Sequence, residues 1–143
     1  MQTKTTKIHN LIAFDIGDKR VGVAATNSLV RLPQPFTTLI RDDAFWDNLE
    51  KLIAAEAIDV IVVGVPRNLS GQDTEQTEKS RQFTSELAER VKLPIIEQDE
   101  ALTSHKAEAE LRARGKEYEK GDIDALAAVY ILEDYLLTEG AAA

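Results

Sequence analysis

Apolar residues fall into two patterns along this chain: short runs that can face both ways, and longer stretches recurring every three or four positions. Leu11–Phe14 and Val21–Ala25 are apolar runs on either side of a polar turn, Ile16–Arg20, that contains Gly17. They predict a strand, a tight turn and a second strand. Phe36–Ile40 reads as a third strand, and Pro33 and Pro35 before it forbid a central place in a sheet. Asp42 or Asp43 can cap a helix over Ala44–Ala57, where Phe45, Leu49, Leu52, Ile53 and Ala57 form one stripe and Trp46 packs at its edge. Asp59–Val65, DVIVVGV, is apolar on both faces, as a central parallel strand covered by helices must be. The polar loop PRNLSGQD follows it, at the strand end where open α/β sheets place their ligands. A helix over Gln76–Val91 turns Phe83, Leu87 and Val91 inward, and Pro94–Glu97 is a further short strand. Thr103 or Ser104 caps a third helix through Arg114; after the polar stretch RARGKEYEKGD, the last helix runs from about Ile123 to Leu137. The order β-β-β-α-β-α-β-α-α predicts an α/β fold, one five-stranded mixed sheet with helices on both faces.

Composition narrows the chemistry. At 143 residues a single domain over 1–143 is expected, with residues 1–8 and 139–143 as flexible ends. Cysteine is absent, which removes disulfides, thiolate metal sites and thiol nucleophiles and fits a cytoplasmic protein. The opening MQTKTTKIHN lacks the apolar core of a signal peptide, and no run approaches a membrane span. The net charge of -8 argues against a surface that grips nucleic acid everywhere, yet residues 1–41 carry +4, leaving -12 for the rest. A local basic surface beside an acidic site suits a phosphate substrate; a solvated face is the plainer reading.

Carboxylates stand at three places where the pattern does not need them: Asp15 on the opening strand, the pair Asp99-Glu100 after a late strand, and Asp122 with Asp124 at the head of an apolar helix. Each has an ordinary explanation. Asp15 can cap its turn, Asp99 the loop before a helix, and Asp122 and Asp124 a helix N-terminus. Together they suggest more, because converging carboxylates raise one another's pKa and destabilise the site without a cation. An all-oxygen set selects Mg²⁺ or Mn²⁺ and suits phosphodiester hydrolysis. There is no P-loop and no G-x-S-x-G elbow, and His9 and His105 read as surface or satisfied residues.

Four blocks, DIGDKRVGVA, VVGVPRNLSGQD, DEALTSHKAEAEL and KGDIDALAAVYILEDYL, resemble in that order the YqgF/RuvX family, whose names are pre-16S rRNA nuclease and Holliday junction resolvase. The resemblance implies an RNase H-like fold with acids clustered at its centre. Asp15 and Gly17 match the family's D-x-G motif, Asp99 and Glu100 the acids of D-E-R-x-T/S, and Asp124 the acid opening the D-x-x-A-A helix. It thus assigns Asp15, Glu100 and Asp124 to metal binding and water activation, with Asp122 as an alternative ligand. Lys19, Arg20, Arg67 and Asn68 become candidates for substrate binding, and Gly71 completes the G-x-P-x-N-x-x-G loop. Ala101 departs from the family arginine, removing a group that could orient a carboxylate or grip a phosphate in a bidentate way. The expected function is a Mg²⁺- or Mn²⁺-dependent nuclease in pre-16S rRNA 5′-end processing. The alternatives are a junction-cutting endonuclease on branched DNA and a non-catalytic RNA- or ribosome-binding module. Structured RNA is the expected partner before branched DNA, with no membrane partner, the protein being a monomer or weak homodimer.

Overall fold

A computed structural model describes residues 7–68, 70–100, 103–115 and 117–142. Of the expected loose lead-in over residues 1–8, residues 1–6 lie outside the described residues, as do Ala101, the terminal Ala143 and the side chains of Thr103, Ser104 and His105. The elements are β1 (Asn10–Ile16), β2 (Arg20–Asn27), β3 (Gln34–Ile40), α1 (Phe45–Ala55), β4 (Val60–Pro66), α2 (Glu75–Arg90), β5 (Ile95–Glu100), α3 (Thr103–Ala113) and α4 (Lys120–Ala142). They follow the order that the apolar pattern predicts.

The five strands form one sheet in the order β3-β2-β1-β4-β5. β2 runs antiparallel to both β1 and β3, whereas β4 is parallel to β1 and β5. A hairpin and its edge strand are thus extended by two parallel crossovers. The proline-bearing β3 takes an edge, where a missing N–H costs nothing. β1 and β4 are central and nearly all buried.

The two faces carry separate cores because side chains alternate along each strand. Ile12, Phe14, Val21, Val23, Ile61 and Val63 pack under α1 and α2 with Phe45, Leu49, Phe83 and Leu87. Leu11, Ala13, Ala24 and Val62 pack on the other face against α4, with Ala107 of α3 joining them. At roughly 1.5–3 kcal/mol for each large side chain removed from water, these faces hold the helices in place. Trp46 stacks on Phe83 with centroids 5.1 Å apart, at the edge of the stripe as expected.

β5 and α4 exceed their predicted length for physical reasons. β5 continues through Gln98, Asp99 and Glu100 because β4 offers it partners, pairing Val65 with Asp99 and Pro66 with Glu100. Backbone pairing overrides the polar sequence. α4 begins at Lys120 rather than Ile123; the Asp122 carboxylate accepts the Glu119 N–H at 2.8 Å, satisfying a donor that the helix start leaves open. α2 is closed at its N-terminus by reciprocal bonds between Thr74 and Thr77.

Candidate metal and phosphate site

Asp15 lies near the C-terminal end of β1 and pairs across the hairpin with Gly22. Its neighbour on the other side is set by the Phe14–Val63 pair, after which Gly64 comes level with it. Gly22 admits the backbone of α4, and Gly64 admits the Ile131 side chain of the same helix. A Cβ on Gly22 would lie 2.0 Å from the Asp124 carbonyl oxygen, and one on Gly64 would lie 2.3 Å from Ile131 Cδ1. The helix therefore rests directly on the sheet backbone on both sides of Asp15, which brings Asp124 beside it.

The environment of Asp15 is costly for a carboxylate. Burial first, and then the negative charge of Asp124, push its pKa from 3.8 up to about 7. Among the described residues no hydrogen-bond donor faces its side chain. Asp124 has a partner, since Arg20 Nε donates to its Oδ2 at 2.8 Å, with both side chains largely shielded. The hairpin turn that carries Arg20 is fixed on several sides. Gly17 N–H donates to Arg20 O at 2.9 Å, Arg41 donates to Gly17 O at 3.0 Å, and Gln76 donates to Ile16 O at 2.8 Å. Lys79 holds Asp18 at 3.1 Å.

Beside Asp124 an open cleft of about 300 Å³ is lined by Gly17, Asp18, Lys19, Arg20, Lys120 and Asp124. Lys120 escaped the sequence reading, although its signal was there: it stands four residues before Asp124 on the same helix, hence on the same face. Three cations and one acid of the proposed pair thus share one opening. That opening suits a phosphate whose bridging bond meets the acids.

Glu100 is placed differently from Asp15 and Asp124. Asp15, Glu100 and Asp124 were expected to gather, but among the described residues no group of three or more acids or histidines stands close enough to hold a metal ion. Glu100 faces Asp134 instead, ten residues beyond Asp124 and about 15 Å further along the helix axis. Along α4, Asp124 meets Gly22 of β2 and Ile131 meets Gly64 of β4, so Asp134, three residues further on, comes to the end of β5. Burial, followed by contact with Asp134, pushes the Glu100 pKa from 4.5 up to about 9, with Lys106 pulling the other way. Its Oε1 is buried without a hydrogen-bond partner. Glu100 thus favours its protonated form, facing a second acid that periodicity alone did not single out.

The other candidates are placed differently again. Asp122 is exposed and caps its helix, and Asp99 is exposed and binds Arg67 Nε at 3.0 Å. Arg67 also binds Asp73, so its guanidinium is taken up by two carboxylates. Asn68 Oδ1 accepts the N–H groups of Ser70 and Gln72 at 3.1 and 2.9 Å, shaping the loop in which Gly71 adopts a positive φ. Lys19 is exposed at the cleft.

The donor set fits a hard divalent cation. Asp15 and Asp124 present carboxylate oxygens only, one of them without a donor and each repelling the other, and such a pair is relieved by Mg²⁺ or Mn²⁺. Mg²⁺ keeps several waters and is held by one or two carboxylates together with substrate phosphates, so two acids beside a basic cleft are sufficient. Among the described residues no helix is long and apolar enough to cross a membrane.

Residues 9–138 match a family model described as RuvX, Holliday junction resolvase. A protein from Shewanella denitrificans named "Putative pre-16S rRNA nuclease" is 35% identical over 134 residues, spanning 91% of this chain and 95% of its own. One of the same name from Haemophilus ducreyi is 35% identical over 129 residues, spanning 87% and 94%. The solved structure of T. thermophilus RuvC in complex with Holliday junction substrate aligns with a TM-score of 0.47 at 12% identity, over 92% of this chain and 96% of that one.

Proposed function

Because the chain belongs to the YqgF/RuvX family, we propose that it is a divalent-metal-dependent nuclease that hydrolyses phosphodiester bonds in pre-16S rRNA 5′-end processing. The observation that carries this reading is the Asp15–Asp124 pair, a half-buried carboxylate without a hydrogen-bond donor among the described residues and a second acid at the mouth of a basic cleft. The family match supports the reaction class, and the names of the curated relatives support the RNA substrate. The absence of cysteine accords with action in the cytoplasm.

Asp15 and Asp124 would hold the cation. When bound, Mg²⁺ or Mn²⁺ supplies neutralisation of the charge that develops on the phosphate oxygens and a more acidic attacking water. The chain's own residues do the rest. Asp15 must be ionised to act as a ligand, so its competence rises with pH through about 7. Lys19, Arg20 and Lys120 bind backbone phosphates at the cleft, supplying affinity without reading sequence. Arg67 and Asn68 contribute through the loop they brace, Arg67 offering a phosphate the edge of a guanidinium already fixed by Asp73 and Asp99. Glu100 completes the acidic set by its place in the D-E motif. To join the pair it must give up its contact with Asp134 and ionise.

The family model's description favours a second reading, cleavage of branched DNA, which calls for paired cuts and hence a two-fold dimer. One assay separates the readings: purified protein, with Mg²⁺ or Mn²⁺, on an extended 16S rRNA 5′ end and on a four-way DNA junction, alongside D15N. Metal-dependent cutting of the RNA alone, lost in D15N, supports the proposal. Cutting of the junction alone transfers it to DNA. Binding without cutting of either substrate leaves a non-catalytic module and overturns the nuclease reading.

A further inference from the structure

We infer that Arg20 is the stand-in for the cation: it holds Asp124 while no divalent ion is present and passes to a substrate phosphate when one enters, coupling metal and nucleic-acid binding. This rests on the proposed metal role of Asp15 and Asp124. Asp124 lies beside the like charge of Asp15 and is ion-paired with Arg20. The guanidinium thus supplies the local compensation that a cation would provide, and the two compete for the same carboxylate. The contact is of a kind that can be exchanged. Only Nε of Arg20 is engaged among the described residues, at 2.8 Å, which leaves four of its five N–H donors uncommitted.

Its side chain is 29% exposed, and it lines the same cleft as Lys19 and Lys120. A guanidinium released from Asp124 therefore remains where a phosphate would bind, and its planar fork suits bidentate contact with phosphate oxygens. Arg67 provides the contrast. It is tied by Nε to Asp99 and by Nη1 to Asp73, so freeing it breaks two ion pairs, whereas freeing Arg20 breaks one. The backbone around Arg20 is fixed by the Gly17–Arg20 turn bond and by Arg41, so the exchange is a side-chain rotation and not a loop movement.

Metal and phosphate should then bind with positive coupling that passes through this side chain. The test is calorimetric titration of the full chain with Mn²⁺, wild type against R20Q, with and without a non-cleavable 2′-O-methyl oligoribonucleotide. Without RNA, R20Q is expected to bind Mn²⁺ about fivefold or more tightly than wild type, having lost its competitor. RNA should strengthen Mn²⁺ binding in wild type and do so distinctly less in R20Q. Equal or weaker Mn²⁺ binding by R20Q, or equal strengthening by RNA in both, overturns the inference. Failure of wild type itself to bind Mn²⁺ overturns the metal reading beneath it, so the two failures are distinguishable. A second measurement does not depend on the variant folding. The Arg20 Nε–H NMR signal of the wild-type protein should shift when Mg²⁺ saturates the site; an unmoved signal in saturated protein contradicts the exchange.

Discussion

Asp15 bears two costs at once, burial and a like charge, and both disappear when it takes up a proton or a cation. Its folded pKa of about 7 lies above the ordinary 3.8, so protonation favours the folded state. The stability this contributes is intact below about pH 4 and is lost as pH rises through about 7, by at most about 4 kcal/mol. Without divalent ions, D15N should melt at the same temperature as wild type at low pH and at a higher temperature above neutrality. Thermal melts across pH read this directly; equal melting temperatures at alkaline pH would deny the burial. Asp15 stands out in the sequence because it ends an apolar run, and Asp124 because it heads an apolar helix and matches the family's D-x-x-A-A motif. Lys120 and Asp134 were not singled out, since charged residues on a helix usually mean only a solvated face. Their partners come from other elements, which the local pattern does not describe.

At the scale of elements, α4 decides what meets what. It can lie on the sheet because Gly22 and Gly64 have no side chains, and it is oblique enough to give Asp124 to β1 and Asp134 to β5. G22A places a methyl 2.0 Å from a backbone oxygen that cannot yield alone, so the helix must lift. The expected loss is about 1–3 kcal/mol of stability, with a greater proportional loss of metal affinity, read by denaturant unfolding and Mn²⁺ titration. Wild-type metal affinity in G22A would contradict the close approach. The sequence disclosed the order of elements and the edge position of β3 through periodicity and proline. The angle of α4 was hidden, because apolar spacing tells which face is buried but not the direction in which the helix crosses the strands. That angle is why the expected three-acid cluster resolves into two pairs.

Over the whole molecule, a net charge of -8 and a basic cleft have opposite effects on a polyanion. Nucleic acid is repelled from most of the surface and admitted at the opening beside Asp124, which favours correct orientation over tight non-specific binding. K120A should weaken RNA binding evenly across sequences and reduce the salt-dependence slope by about 0.7–0.9, the share of one phosphate contact. An unchanged slope would remove Lys120 from the phosphate path. The central claim, that Asp15 and Asp124 hold the catalytic cation while Glu100 faces Asp134, is tested most directly by Mn²⁺ titration of wild type, D15N, D124N and E100Q. The account predicts one binding event in wild type, lost in D15N and in D124N and retained in E100Q. Binding that survives in D15N, or that vanishes in E100Q alone, would contradict it.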